Sequence, residues 1–262
     1  MTGPSAVAVA LPPGWRLVHH PIVGSTNTVA REMGDQGAPD RTVVWADQQS
    51  AGRARRGRVW SSPKGNLYAS LLLRPSTTAS KAALLTFVAS LALAESLGDC
   101  APDLVVQLKW PNDLMVGGKK LSGLLLEAGG QTSDRVDYVV IGSGINIAHF
   151  PADAERPTTS LCAEGVIDLT PAALLAAYLT RFETLYTDWQ TYGFSAIRKR
   201  WLGKAAGVGG PITVRLEREQ FDGVFQALDD DGALVCALSD GTLRTVTVGD
   251  LFLPNPPHRA AP

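Results

Sequence analysis

Cysteine is scarce: the 262 residues hold three, Cys100, Cys162 and Cys236, odd in number and far apart. That excludes a disulfide framework and a thiolate zinc site. Histidine is nearly as sparse. None of His19, His20, His149 and His258 falls in an HExxH arrangement, and no GxxxxGK[ST] run occurs. A zinc-protease helix, a P-loop and visible Ser-His-Asp logic are therefore missing. Neither sign of charge is in excess, with 24 Lys and Arg against 25 Asp and Glu and a net charge of −1. A protein devoted to holding nucleic acid is usually strongly basic. No apolar run reaches the roughly 20 residues of a membrane span. The best candidate, Lys81 to Leu97, is interrupted by Glu95 and reads as a buried core helix. Ala6 to Leu11 is apolar, but no Lys or Arg precedes it to make the basic start of a signal peptide. A cytoplasmic location is expected by elimination.

What is present is ordinary globular composition, 45% hydrophobic and 19% charged. The length predicts one or two domains at roughly 150 residues each. The pattern predicts a flexible tail over 1–13, a larger domain over 14–203, a small β-barrel over 204–253 and a second flexible tail over 254–262. In the larger domain, strands are expected at 15–20, 42–46, 67–74, 104–109, 114–116, 119–127 and 138–147. A short helix should start at Ser25 to Asn27, whose polar side chains offer N-cap oxygens, and stop at Gly34. A long helix should open at Thr170-Pro171, a cap followed by proline, and run to about Gln190. A second follows up to Trp201. Gly203, Gly207, Gly209 and Gly210 mark the boundary. Beyond it Ile212, Val214 and Leu216 alternate with polar residues, and Asp230-Asp231-Gly232 and Ser239-Asp240-Gly241 signal tight turns.

Four short segments carry candidate chemistry. In the first, Gln49 to Trp60, the cations Arg53, Arg55, Arg56 and Arg58 stand among glycines. Guanidinium forks suit phosphate or carboxylate, and glycine lets backbone N–H groups approach an anion. On composition alone a solvated basic loop or a nucleic-acid patch fits equally well. Lys109-Trp110-Pro111-Asn112-Asp113 places a cation, an amide and a carboxylate at one strand end, or is simply a capped turn. After Gly117-Gly118 come Lys119 and Lys120. Strand residues alternate in facing, so one of the two lysines should enter a pocket. Gly142 and Gly144, in Gly-Ser-Gly-Ile-Asn ending at Asn146, mark a bulge or a close approach.

Taken in order, Gly24-Ser25-Thr26-Asn27, Gln49 to Trp60, Ser62 to Tyr68, Lys109 to Asp113 with Lys119 to Glu127, and Gly142 to Asn146 resemble the biotin–protein ligase family over nearly the whole chain. The resemblance implies an α+β fold: a mixed or antiparallel sheet with helices packed on it, class II synthetase-like, plus a small C-terminal SH3-like β-barrel. It implies an enzyme that uses biotin and ATP, with Mg²⁺. Biotin is converted to biotinyl-5′-AMP, and the biotinyl group passes to a lysine of a biotin carboxyl carrier protein of a carboxylase. It also implies the monofunctional type, without the DNA-binding domain some members carry, a chain outside the membrane, and a homodimer through the catalytic domain.

By resemblance, Lys120, Arg53 and Arg55 are catalytic. Ser25, Thr26, Asn27, Gln49, Gly52, Arg53, Ala54, Arg55, Lys120 and Gly123 would line the biotin end. Arg55, Arg58, Trp60, Lys109, Asn112, Asp113, Lys120 and Asn146 would serve the nucleotide. Asp113 is a candidate metal ligand. Ala54 stands where many family members have glycine, a change tolerable unless that residue needs a positive φ. The competing readings are a lipoate or octanoate ligase or transferase of the same fold, a nucleic-acid-binding module built on the arginines, and a non-catalytic biotin binder.

Overall fold

Strand β3 (Leu67–Leu73) is buried along its whole length, and period two sorts its residues between two faces of a sheet. Leu67, Ala69, Leu71 and Leu73 join the main hydrophobic core, whereas Leu72 belongs to a smaller cluster on the opposite face. In this computed structural model, which describes residues 9–130 and 135–254, β3 lies near the middle of a seven-stranded sheet. The other strands are β1 (Arg16–Val23), β2 (Thr42–Gln49), β4 (Val106–Lys109), β5 (Asp113–Val116), β6 (Lys119–Gly129) and β7 (Tyr138–Ile145). Their order is β1-β2-β3-β7-β6-β5-β4. β1 runs parallel to β2 and every other pairing is antiparallel. This is the mixed sheet of the expected α+β fold. The expectations for residues 1–8 and 255–262 lie outside the described residues.

One sheet face carries α3 (Leu85–Cys100), α4 (Pro171–Tyr192) and α5 (Phe194–Leu202); the other carries α1 (Thr26–Asp35). α3 is apolar nearly all round because it sits between the sheet and its neighbour helices. The single helix expected at 81–97 is split at Leu84 into α2 (Ala79–Ala83) and α3. Together they are long and apolar enough to cross a membrane by composition, yet they are mostly buried inside the protein. α4 opens as its sequence predicts: Thr170 Oγ1 accepts from the backbone N–H of Ala173 at 3.2 Å, with Pro171 in the first turn.

The last strands, β8 (Pro211–Arg215), β9 (Gln220–Leu228), β10 (Leu234–Ala237), β11 (Leu243–Val246) and β12 (Asp250–Phe252), form a separate antiparallel sheet in the order β11-β10-β9-β8-β12. Ile212 and Val214 point inward, as their alternation predicts. The Asp229–Ala233 turn is tied by Asp229 Oδ1, which accepts from the N–H groups of Asp231 and Ala233. Trp110 Nε1 donates to the Gly232 carbonyl at 3.1 Å, tying this turn to the connection between β4 and β5 of the larger sheet.

Candidate active site

The face of the sheet that α1 only partly covers is floored by glycine. A Cβ at Gly142 would lie 2.0 Å from Asn27 Oδ1, and one at Gly144 would lie 2.5 Å from Trp60 Nε1. The close approach read from these glycines is thus made by the protein's own side chains. Gly123 is similarly crowded by Lys120 and Trp60. Gly52 has no room for a side chain either, because its Cβ would meet the Trp60 carbonyl at 2.4 Å.

One end of this floor is neutral and hydrogen-bonding. Ser25 holds the N-cap position of α1, but its side chain makes no capping bond. Gln49 does so from another element. Its Oε1 accepts from the Thr26 backbone N–H at 2.8 Å and from Thr26 Oγ1 at 3.1 Å, while its Nε2 donates to Ser62 Oγ. β2 runs past the expected end at Ala46 to Gln49 because its parallel pairing with β1 continues to Val23. Ser70 Oγ, on the α1 face of β3, lies 2.6 Å from Asn27 Oδ1 and 2.8 Å from Thr26 Oγ1. Asn27 Nδ2 donates to the Leu125 carbonyl and to Glu127.

The other end is cationic. The turn after β4 sends Asp113 into the protein, where Lys120 Nζ meets Oδ1 at 2.5 Å and Lys109 Nζ meets Oδ2 at 3.6 Å. Burial pushes the Asp113 carboxyl up, but the charges of Lys120 and Lys109 outweigh it and hold the group below its ordinary range. Burial lowers Lys109 to about 8, partly offset by Asp113. Each Asp113 oxygen faces a lysine, so in this structure the carboxylate is an internal counter-ion. Lys119 points elsewhere and pairs with Glu164 at 2.5 Å, the alternation expected of a strand. Arg55 Nη1 donates to Asn112 Oδ1 at 3.0 Å. Burial lowers the Arg55 pKa, against the pull of Asp250 and Asp113.

The arginine segment is a short hairpin over the cleft. Arg53 bridges to Val59, and the Ala54 N–H donates to the Arg58 carbonyl. Ala54 has φ −124°, so alanine fits there without strain; the left-handed residues are Arg56 at φ 56° and Gly57 at φ 70°. Each arginine already has a partner. Arg53 pairs with Glu127, Arg56 and Arg58 reach Asp250 at 3.2 and 3.6 Å, and Arg55 also touches the Gly249 carbonyl. The hairpin is thereby fastened to the small barrel.

These parts enclose a cleft of about 590 Å³. Of the predicted site residues, all but Gly52 line it: Gly52 lies behind Trp60. Asn146, buried in its lining, is held by a bond from Nδ2 to the Thr159 carbonyl. Sequence reasoning missed four residues at or beside the cleft: Ser70, Glu127, Arg156 and Asp250. Arg156 has buried Nε and Nη2 atoms without a hydrogen bond, 3.6 Å from Asp250. Glu127 ends the Lys119 to Glu127 segment without having been assigned a role, and the other three stand in no local motif. Ser70 alone carried a signal, as a polar residue inside an apolar strand.

A mixed sheet with a glycine floor, neutral hydrogen-bonding groups at one end and cations at the other defines an acid-activating ligase fold. Residues 20–146 match the Biotin/lipoate A/B protein ligase family, and residues 208–253 match the Biotin protein ligase C terminal domain. The chain is 35% identical to the bifunctional ligase/repressor BirA of Bacillus subtilis over 92% of its own length and 74% of that protein's. It is 38% identical to the biotin–[acetyl-CoA-carboxylase] ligase of Paracoccus denitrificans over 80% and 90%. Its fold matches the Aquifex aeolicus biotin protein ligase solved with biotin and ATP, with TM-score 0.77, 25% identity, and 90% and 97% of the two chains covered. The chain belongs to the biotin protein ligase family.

Proposed function

We propose that the chain activates biotin with ATP and transfers the biotinyl group to a lysine of a biotin carboxyl carrier protein, in the cytoplasm. The observation that carries this reading is the Lys120–Asp113–Lys109 cluster, set across one cleft from the neutral Thr26–Asn27–Gln49 end. A uncharged ring with N–H and C=O groups suits the neutral end. A carboxylate and an α-phosphate meeting over Lys120, Arg53 and Arg55 suit the cationic end. Two anions repel, and fixed cations remove that repulsion where charge builds up. The carboxylate oxygen attacks the α-phosphorus and pyrophosphate leaves, giving biotinyl-5′-AMP. The carrier lysine's amine then attacks the acyl carbon and AMP leaves. Arg58, Trp60, Asn112 and Asn146 would serve the nucleotide, whose Mg²⁺ arrives on the triphosphate as part of the substrate. A homodimer along the catalytic sheet would use the unpaired edge of β1, and light scattering checks it.

The test is ATP–pyrophosphate exchange without acceptor protein. Exchange that requires biotin supports the reading. Exchange that ignores biotin, or that runs on octanoate or lipoate instead, overturns it.

A further inference from the structure

Glu127 closes the Lys119 to Glu127 segment without a role of its own there, yet three side chains of the site, Asn27, Arg31 and Arg53, end on its carboxylate. On β6 it pairs in register with Val140 of β7, which puts it on the α1 face of the sheet. Asn27 and Arg31 are four residues apart on α1 and therefore share one helix face. Both reach Glu127: Asn27 Nδ2 meets Oε2 at 2.9 Å and Arg31 Nη1 meets Oε1 at 3.3 Å. Arg53, arriving from the hairpin over the cleft, gives its Nη2 to the same Oε2. The Arg53 Nε and Nη1 atoms go to no other group among the described residues, so they stay available for a ligand. Asn27 is buried, and its amide is held at both ends, with Nδ2 on Glu127 and Leu125 and Oδ1 beside Ser70 over Gly142. Both ends of the amide are thus engaged by the protein, which fixes its orientation.

We infer that Glu127 is a positioning residue for the adenylation step, orienting the Asn27 amide and anchoring Arg53 beside it from one carboxylate. This rests on the reading of the cleft as a biotin-activating site. The carboxylate acts only through these two side chains. Removing its charge while keeping an acceptor therefore separates the two tasks. In Glu127→Gln the side-chain carbonyl still accepts from Asn27, but the ionic hold on Arg53 is gone. In Glu127→Ala both are gone.

The experiment measures biotin-dependent ATP–pyrophosphate exchange and biotin binding by calorimetry for wild type, Glu127→Gln, Glu127→Ala, Arg53→Ala and the double variant Arg53→Ala/Glu127→Gln. Circular dichroism melts accompany each to confirm folding. Glu127→Gln should slow exchange about tenfold with biotin Kd within about twofold of wild type, a charge-assisted contact being roughly worth that factor. Glu127→Ala should weaken biotin binding as well. Adding Glu127→Gln to Arg53→Ala should slow exchange no further, because the anchored group is already absent. A folded Glu127→Gln with wild-type exchange overturns the inference, as does a defect that multiplies with Arg53→Ala or one that appears in biotin Kd alone. Wild-type protein without biotin-dependent exchange instead removes the underlying reading, and the two failures are told apart by that control.

Discussion

Lys119 and Lys120 are adjacent and chemically identical, but their surroundings differ. Lys120 pairs with the buried Asp113 inside the cleft, and Lys119 forms a half-exposed pair with Glu164 outside it. Lys120→Ala should slow biotin-dependent exchange by roughly 10²–10³, the cost of removing a charge-stabilising donor from a transition state. Lys119→Ala should leave the rate unchanged and shift stability by no more than about 1 kcal/mol, since exposed ion pairs contribute little. Equal kinetic defects would show that the facing of the two lysines does not matter. Lys109 leads to a second prediction. Its ammonium is buried and its pKa lies at about 8, below the ordinary 10.5. Between those values the unfolded chain binds the extra proton, so folded stability gains as pH rises through that window. The gain is at most about 1.4 kcal/mol per pH unit. Below pH 8 the lysine is charged in both states and its desolvation cost is fully present. Urea unfolding of wild type and Lys109→Met at pH 7.5, 8.5 and 9.5 should show wild type gaining on the variant with pH, and a constant difference would contradict the assignment.

The hairpin at 53–59 is the element on which most of the site depends. Its cationic character was plain in the sequence, but its attachments were not. Asp250 lies 194 residues beyond Arg56 and carries no motif, so no local pattern signals that it receives Arg56 and Arg58. The same limit applies at α1, where the sequence correctly points to a polar helix start at Ser25 but the capping oxygen comes from Gln49. The resemblance named the residues; which of them meet depended on the parallel pairing of β1 with β2, which places Gln49 beside the helix. Strand alternation, in contrast, needs no distant partner and already separated the facing of Lys119 from that of Lys120, while the resemblance picked Lys120 as the inward one. The hairpin exposes several tryptic sites. If its hold on the barrel is what orders it before ligand arrives, Asp250→Asn should hasten cleavage between Arg53 and Arg58 in the free protein. Biotin with ATP should slow cleavage in both proteins, because a segment ordered on a ligand leaves the open ensemble. Cleavage at the same rate with and without ligands would favour a rigid site in which the arginines serve only as fixed charge.

At the scale of the whole molecule, the glycine-rich change of pattern near residue 204 marks a change of architecture without interrupting the core. The main hydrophobic cluster includes Phe87, Trp110 and Trp201 of the larger sheet and its helices together with Ile212, Phe225 and Leu234 of the barrel. Backbone bonds cross as well: the Leu108 N–H donates to Lys204, and the Leu108 carbonyl accepts from Ala206. β12, at the barrel's edge, supplies the Asp250 that holds the arginine hairpin, so the barrel acts on the site as well as on stability. A shared core implies shared unfolding. Calorimetry should give one transition in which both sheets melt together, as expected when few contacts can be lost without exposing the rest. Gly232 tests this at the junction. It sits at φ +77°, its carbonyl accepts from Trp110, and a Cβ there would lie 2.6 Å from Phe87. Gly232→Ala pays both for a left-handed backbone and for displacing an aromatic ring in a packed core, together about 2 kcal/mol or more. If the two units are one cooperative body, that loss lowers the single melting transition as a whole, and biotin-dependent exchange declines with it on heating. A variant whose barrel melts in a separate, earlier transition while the larger domain keeps its wild-type melting temperature would show instead that the continuous core does not couple them.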